Sequence, residues 1–547
     1  MLAVVASLLM MVNLDNVDLS GPDEPRYAEV AREMVERNDY LVLHFNGADY
    51  ADKPPLYFWL IAAFSRLSGG VNEVAARMPS ALAGVGTALL AFGLARRMFG
   101  ARTAFLGGMA LLGSVFFVAH GRVVRMDMCQ AFLAVAMMTV FWSAHERGRA
   151  EWWTWPVFFF LGALAIMMKG PGGFLPLLIA CALFSLLRRD WRAWNRSIWA
   201  GAAILVVILG AWLAELWLRG GPEFVWNSVV TQNLGRLRGQ GGHVAPFYYY
   251  AKKFPEVFLP WSLLFVAACA AALRRAWRRE LPENVLFMAL WFGAFFVFFS
   301  VVNSKRSLYL VPVFPPAAIL VAWFVNLLIA GKATRRAEGA ARWLMAAPLM
   351  VVAAGSVALL ILLAWGEVKG DAKMERMFEA LRRGYAPVVI LCAALCAQGL
   401  AGAMAALRKQ WAGAMAATAL MCLSLAAFAF FVFYPLTNGL TSPKKFCVEA
   451  NRIVGDSELT GYGDVPNGVV YYSHHRVRLF GRPEDVAEYL GGGSGEGRFC
   501  VTPRENLDQI RDACGESVML TVACEEMFDV SDMMLLEGRR AADVDEP

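Results

Sequence analysis

The chain has 547 residues, 58% hydrophobic and 18% charged, with a mean hydropathy of +0.48 and a formal net charge of +6. Uninterrupted apolar runs of spanning length exclude a soluble globular protein, and because backbone polar groups in lipid must be satisfied internally, those runs are predicted as helices. The basic residues sit largely in short loops between the runs and are not interleaved with stacking aromatics, which excludes nucleic acid as a partner.

Residues 1–14, MLAVVASLLMMVNL, lack a basic n-region and a convincing A-x-A cleavage site. They read as a first transmembrane helix whose cytoplasmic end is missing or very brief. The segment 15–74 then carries the densest polar cluster of the chain. In GPDEPRYAEVAREMVERNDY, Tyr27, Val30, Ala31, Met34 and Val35 recur at helical spacing, with Glu29, Arg32, Glu33 and Glu36 on the other side and Pro25 in the first turn. This predicts an amphipathic helix lying in the membrane interface, and PPLYFWLIAAFSRL predicts a second. Counting the first, about 13 apolar runs have spanning character, the last ending near residue 434.

Placing the N-terminus inside makes RRMFGAR, HERGRAE, RRDWRAWNR, RRAWRRELPE, GKATRRAEGAAR and RKQ the cytoplasmic loops, every one basic. The opposite, outer face then holds 15–74, GRVVRM, MKGPGG, NSKRS and the longer segments 219–256 and 365–385. An odd number of spans puts the C-terminal part outside as well. The expected division is a membrane domain over 1–438, with interfacial helices in the outer loop 15–74, and a periplasmic soluble α/β domain over 439–547. In the latter, SPKKFCVEANRIV and PEDVAEYL look helical, GVVYYSHHRVRLF and ESVMLTVAC look like strands, and GGGSGEG is a loop. Its cysteines, Cys447, Cys500, Cys514 and Cys524, can pair in any of three ways in an oxidising compartment. The cysteines inside spans read as small core hydrophobes.

The adjacent acids Asp23 and Glu24 have an ordinary explanation as helix-start residues, stabilised by the macrodipole by roughly 0.3–1 kcal/mol. Asp127, at the start of a span, and Asp52, beside Lys53, share it. The outer cations Lys53, Arg122, Arg125, Lys169, Arg236, Arg238, Lys305 and Arg306 are less expected under the positive-inside rule. They read either as anchors reaching headgroups or as a shared anion site which, with the acids, suits a phosphate leaving group.

DEPRYAE followed by YADKPP resembles the signature of bacterial lipid-linked-sugar glycosyltransferases, in particular the ArnT-type transferases that move aminoarabinose to lipid A and are related to protein O-mannosyltransferases. The resemblance covers essentially the whole chain. It implies a glycosyltransferase C fold with thirteen spans: an all-α polytopic membrane protein with a small C-terminal periplasmic α/β domain, in the bacterial inner membrane. It implies Asp23 as the catalytic acid with Glu24 beside it, Asp127 as a second acidic position, Tyr50 and Lys53 as a lipid-phosphate pair, and Arg26 and Tyr27 completing the first motif. Arg236 matches an outer-loop arginine near the phosphate, Tyr309 a tyrosine at the mouth of the lipid groove, and Lys169 a Lys-Gly turn. ArnT-type proteins commonly carry Glu where this chain has Asp52, and a metal-associated His where it has Asn233. The divalent ion some relatives hold is therefore not expected here; Asp52 and His243 are the residual candidates, and His474 and His475 receive no role.

The implied activity is transfer of a sugar, with inversion, from an undecaprenyl or other polyprenyl phosphate donor to lipid A or another envelope glycan at the periplasmic face. A protein acceptor is the variant on that theme. The competing class is a transporter or flippase of a lipid-linked or anionic solute, which predicts charges near the bilayer midplane rather than at span ends. A membrane-anchored assembly protein needs far fewer spans.

Overall fold

A computed structural model describes residues 1–232, 235, 243–365, 372–492, 497–528 and 531–540. Among them, 9 helices are long and apolar enough to cross a membrane, or up to 11 if each of two bent pairs is one span. The helix at Met126–Glu146 shows why: its 21 residues cover about 30 Å, the thickness of a hydrocarbon core. The predicted spans at 1–14 and 152–168 are shorter helices, Leu2–Met11 and Thr154–Lys169. Two further runs are broken. Ala101–Leu112 turns by 71° into Val115–Gly121, and Tyr249–Val257 turns by 119° into Ser262–Trp277. The second break contains Pro260, which supplies no backbone donor.

The first outer segment is built as expected in part. Glu24–Arg37 is a helix with Pro25 in its first turn, and Leu56–Ser68 is a second helix. Between them a hairpin pairs β1 (His44–Phe45) with β2 (Ala48–Asp49). The polar side of helix 24–37 is covered in part, Glu36 alone of its three glutamates there staying exposed. Glu29 and Glu33 are as buried as Val30 and Met34. The polar side is covered by the C-terminal part, where Arg32 donates to Tyr471 O at 2.8 Å and lies over the Tyr471 ring, and by the hairpin, where Gly47 N–H donates to Glu33 at 3.0 Å.

The C-terminal part opens with helix Lys444–Val454 and forms a five-stranded sheet from β3 (Leu459–Tyr462), β4 (Val477–Phe480), β5 (Arg498–Pro503), β6 (Val518–Phe528) and β7 (Ser531–Arg540). The order is β4-β3-β5-β7-β6, with β3 parallel to β4 and β5, and β7 antiparallel to β5 and β6. One small core gathers Val486, Leu490, Cys500, Ile510 and Cys514, while Leu459, Val469, Val501 and Leu535 join the main core of the molecule. The expected strand over GVVYYSHHRVRLF is half wrong. Asn467–Ser473 is a helix that places Val469, Tyr471 and Tyr472 against helix 24–37 and its neighbours, and only Val477–Phe480 is a strand. A run of β-branched and aromatic residues serves either state, and tertiary burial chose. None of the ten cysteines is paired. Most of the GGGSGEG stretch lies outside the described residues.

Candidate functional site

Asp23 is the residue before helix 24–37, but its side chain caps nothing. It is 5% exposed and turned towards two arginines from other loops. Arg125, which precedes helix 126–146, pairs with Asp23 Oδ2, and Arg306 Nη2 reaches the same oxygen at 2.9 Å. Burial alone would raise the Asp23 carboxyl, but Arg125 and Arg306, with Arg26 behind them, outweigh it and hold it below the usual carboxylate range.

Asp127 sits in the first turn of helix 126–146, 4% exposed, and its Oδ1 pairs with the Lys169 ammonium. Lys169 is the last residue of helix 154–169, and the glycines that follow let the chain turn sharply. Gly170 has φ 106°, and a Cβ on Gly173 would lie 2.1 Å from the Gln130 amide. The Lys169 ammonium also stands 4.4 Å from the Tyr309 ring centroid, a cation–π contact. Asp127, Gln130, Lys169, Ser304 and Tyr309 line a cavity of about 280 Å³ together with Phe295, Phe298 and Phe299.

Tyr27 connects the two acids. Its ring meets Tyr57 and Phe58 edge-on, and burial followed by the nearby Asp23 charge, with Asp127 also contributing, drives its phenol pKa up. Tyr50 packs edge-on against Phe58, and its hydroxyl has no hydrogen-bond partner among the described residues. Burial raises its pKa too, so it stays a neutral donor, with Arg26 and Asp23 in electrostatic range. Lys53 is half-buried in the bend three residues on. Arg236 lies outside the described residues, as does Asn233.

Glu24, expected beside the catalytic acid, faces elsewhere. Arg77 grips it with two bonds, Nε at 3.1 Å and Nη2 at 2.9 Å, and Val124 N–H donates to it at 2.8 Å. The remaining Arg77 donors serve the carbonyls of Leu14, Val17 and Asp18. The outer cations divide in the same way. Arg122 donates to Leu9 O, Val12 O and Asn13 O, and Lys305 to Ala245 O and Val302 O, so both brace backbone. Arg125, Lys169 and Arg306 face the acids. Their signal in the sequence was an outward cation in a short loop; Arg77, inside a helix, gave none.

Of the two metal candidates, Asp52 accepts from Gln232 Nε2 at 2.8 Å and His243 is exposed. Among the described residues no three of His, Cys, Asp and Glu gather closely enough to hold an ion.

The fold is the glycosyltransferase C fold of a polytopic membrane protein. Across 98% of this chain and 97% of the other, it superposes on the crystal structure of ArnT from Cupriavidus metallidurans bound to undecaprenyl phosphate, with a TM-score of 0.78 at 21% identity. Residues 52–216 match the family described as dolichyl-phosphate-mannose-protein mannosyltransferase. The chain is 32% identical, over 67% of its length, to the undecaprenyl phosphate-alpha-4-amino-4-deoxy-L-arabinose arabinosyl transferase of Edwardsiella ictaluri. It is 30% identical, over 58% of its length, to an uncharacterized protein of Aquifex aeolicus. The matches span 65% and 62% of those two relatives' own lengths. The particular likeness is therefore to the ArnT-type transferases, as the first outer loop implied.

Proposed function

We propose that this protein transfers a sugar from an undecaprenyl (polyprenyl) phosphate donor to an acceptor at the periplasmic membrane face, with inversion at the sugar carbon. The observation that carries this reading is the largely apolar groove that Asp127, Lys169 and Tyr309 also line. A long isoprenoid chain fits the phenylalanine wall, and its phosphate then meets the Lys169 ammonium. The Tyr50 hydroxyl, Lys53, Arg26 and Arg236 complete the phosphate's partners. Cations aimed at the leaving phosphate stabilise the charge that grows there in the transition state. The Asp127 carboxylate holds Lys169 in place until the phosphate shares it.

Asp23, kept ionised by two arginines, is a weak proton acceptor. It serves by orienting the acceptor and by holding Arg125 and Arg306, which suits an acceptor that is already an anion, such as a lipid A phosphate. In-line attack from the side opposite the leaving phosphate inverts C1. Glu24 has a structural task in this scheme. The chain divides into a membrane domain ending near 438 and a C-terminal domain over 439–547 on the periplasmic side, supported by the basic loops all falling at the other membrane face.

The test is transfer by purified protein in lipid, supplied with polyprenyl-phosphate sugars and with lipid A, other envelope glycans or peptides as acceptors. Asp23→Asn is expected to lose about a hundredfold or more in turnover while remaining folded. Lys169→Ala is expected to weaken donor binding. Transfer by no donor–acceptor pair, or full turnover by Asp23→Asn, removes the proposal or Asp23 from it, respectively.

A further inference from the structure

At the opposite end of the bundle lies a second cleft. Helix Ser262–Trp277 and the first turns of helix Arg335–Trp365 leave between them a groove of about 500 Å³, floored by Phe324 and Leu327. Much of its wall is short side chains, Ala270, Ala271, Ala337 and Ala340, with Leu263, Val266 and Leu344 completing the apolar lining. Alanines contribute only a methyl each, so the helices stand apart without filling the space between them.

Four cations ring one end of this groove: Arg274, Arg275, Arg278 and Lys332, against the single carboxylate of Glu280. Arg275 is drawn partly inward, 5.9 Å from the Trp323 ring centroid. Arg274 and Arg278, one turn apart, and Lys332 are exposed, and no ion pair among the described residues engages any of the four. Trp277, 89% exposed at the helix end, stands at the level where indoles favour the headgroup layer. The distance from the catalytic groove follows from the chain. The run Ser307–Ile329 begins next to Arg306, the partner of Asp23, and ends three residues before Lys332. Its 23 residues place the two clefts about one hydrocarbon thickness apart.

We infer that this groove is a binding site for an anionic phospholipid of the leaflet on the basic-loop side, an acyl chain lying between the two helices and the phosphate held by Arg274, Arg278 and Lys332. Charge complementarity names the occupant. A zwitterionic headgroup would leave the cations uncompensated, and an apolar cleft open to lipid does not stay empty. Basic pockets between transmembrane helices at this face hold anionic headgroups for the same reason.

The experiment measures lipid retained by the full chain purified in detergent, by native mass spectrometry after addition of phosphatidylglycerol, cardiolipin or phosphatidylethanolamine. Wild type is expected to retain the anionic lipids over phosphatidylethanolamine. R274Q/R278Q/K332Q is expected to lower anionic retention about tenfold and erase the preference. Ala340→Leu, which fills the groove and leaves the charges, is expected to lower retention of anionic lipid too. Equal retention of all three lipids by wild type, or an unchanged preference in the triple variant with its melting temperature intact, overturns the assignment. Retention unaffected by Ala340→Leu overturns the placement of the acyl chain.

Discussion

An aspartate before a helix ordinarily spends its carboxylate on the first free backbone N–H groups. Asp23 does not, and the reason is competition: two guanidinium groups offer charge-assisted bonds, roughly twice as strong as a neutral one. Its depressed pKa has a direct consequence. The carboxylate stays charged until the pH falls below the ordinary value of 3.8, so no ionisation of Asp23 limits turnover between about pH 5 and 8. Arg306→Gln removes one of the two opposing cations and is expected to move an acid limb up towards that window in a pH–rate profile. Glu24, one residue on, behaves differently because both its oxygens are committed to a buried partner. Glu24→Gln leaves Arg77, 5% exposed at its side chain, without its counter-charge. The expected loss is about 3 kcal/mol of stability, seen as a lower melting temperature in detergent, whereas Asp23→Asn costs little stability and much activity.

At the scale of elements, helix 24–37 shows what the sequence could and could not disclose. Its existence, its first-turn proline and its apolar stripe were legible because a 3.6-residue period is local information. Its covering was not, because Tyr471 and His474 come from more than four hundred residues away in the chain. The same limit explains the misread Asn467–Ser473, and it bears on the candidate site: motif singled out Asp23, Asp127, Lys169 and Tyr309 one by one, whereas the pairing of Arg306 with Asp23 exists only in three dimensions. The covering has a measurable cost. Burial, only partly offset by Arg32, raises Glu29 to about 7, with Glu33 and Glu36 on its own helix adding to the rise. The groups facing it from the other side are Tyr471 and, beyond Arg32, His474. Because the folded value lies above the ordinary 4.5, the stability this glutamate allows is fully present below about pH 4.5 and is lost as pH rises through about 7. Glu29→Gln mimics the protonated form. It is expected to raise stability at pH 8 by on the order of 2 kcal/mol and to change nothing at pH 4.5, in thermal unfolding followed at both values.

For the whole molecule, the C-terminal part is a brace for the first outer segment and so for half of the site. Asn467 Nδ2 donates to Pro22 O at 2.7 Å, immediately before Asp23, and Leu19 N–H donates to the Tyr472 hydroxyl at 2.6 Å. Lys444 reaches Asp18 at 3.0 Å and Glu73 at 2.9 Å, tying the same segment to the start of helix 73–99. A Cβ on Gly468 would lie 2.5 Å from Pro443, too close for a larger residue, and 3.8 Å from Pro25, an ordinary contact. Among the described residues, the groove with Asp127, Lys169 and Tyr309 is lined by the membrane part alone. The two halves of the site should therefore separate on truncation. A chain ending after Thr441 is expected to bind polyprenyl phosphate with near-wild-type affinity, because the groove persists, yet to lose transfer, because Asp23 and its loop are no longer held against Arg125 and Arg306. Gly468→Ala, which crowds Pro443 beside the same joint in the full chain, is expected to give the milder version: a cost of about 1–3 kcal/mol with turnover reduced and donor affinity kept. Loss of donor binding in step with transfer, in either variant, would mean that the brace supports the groove itself rather than the acid above it.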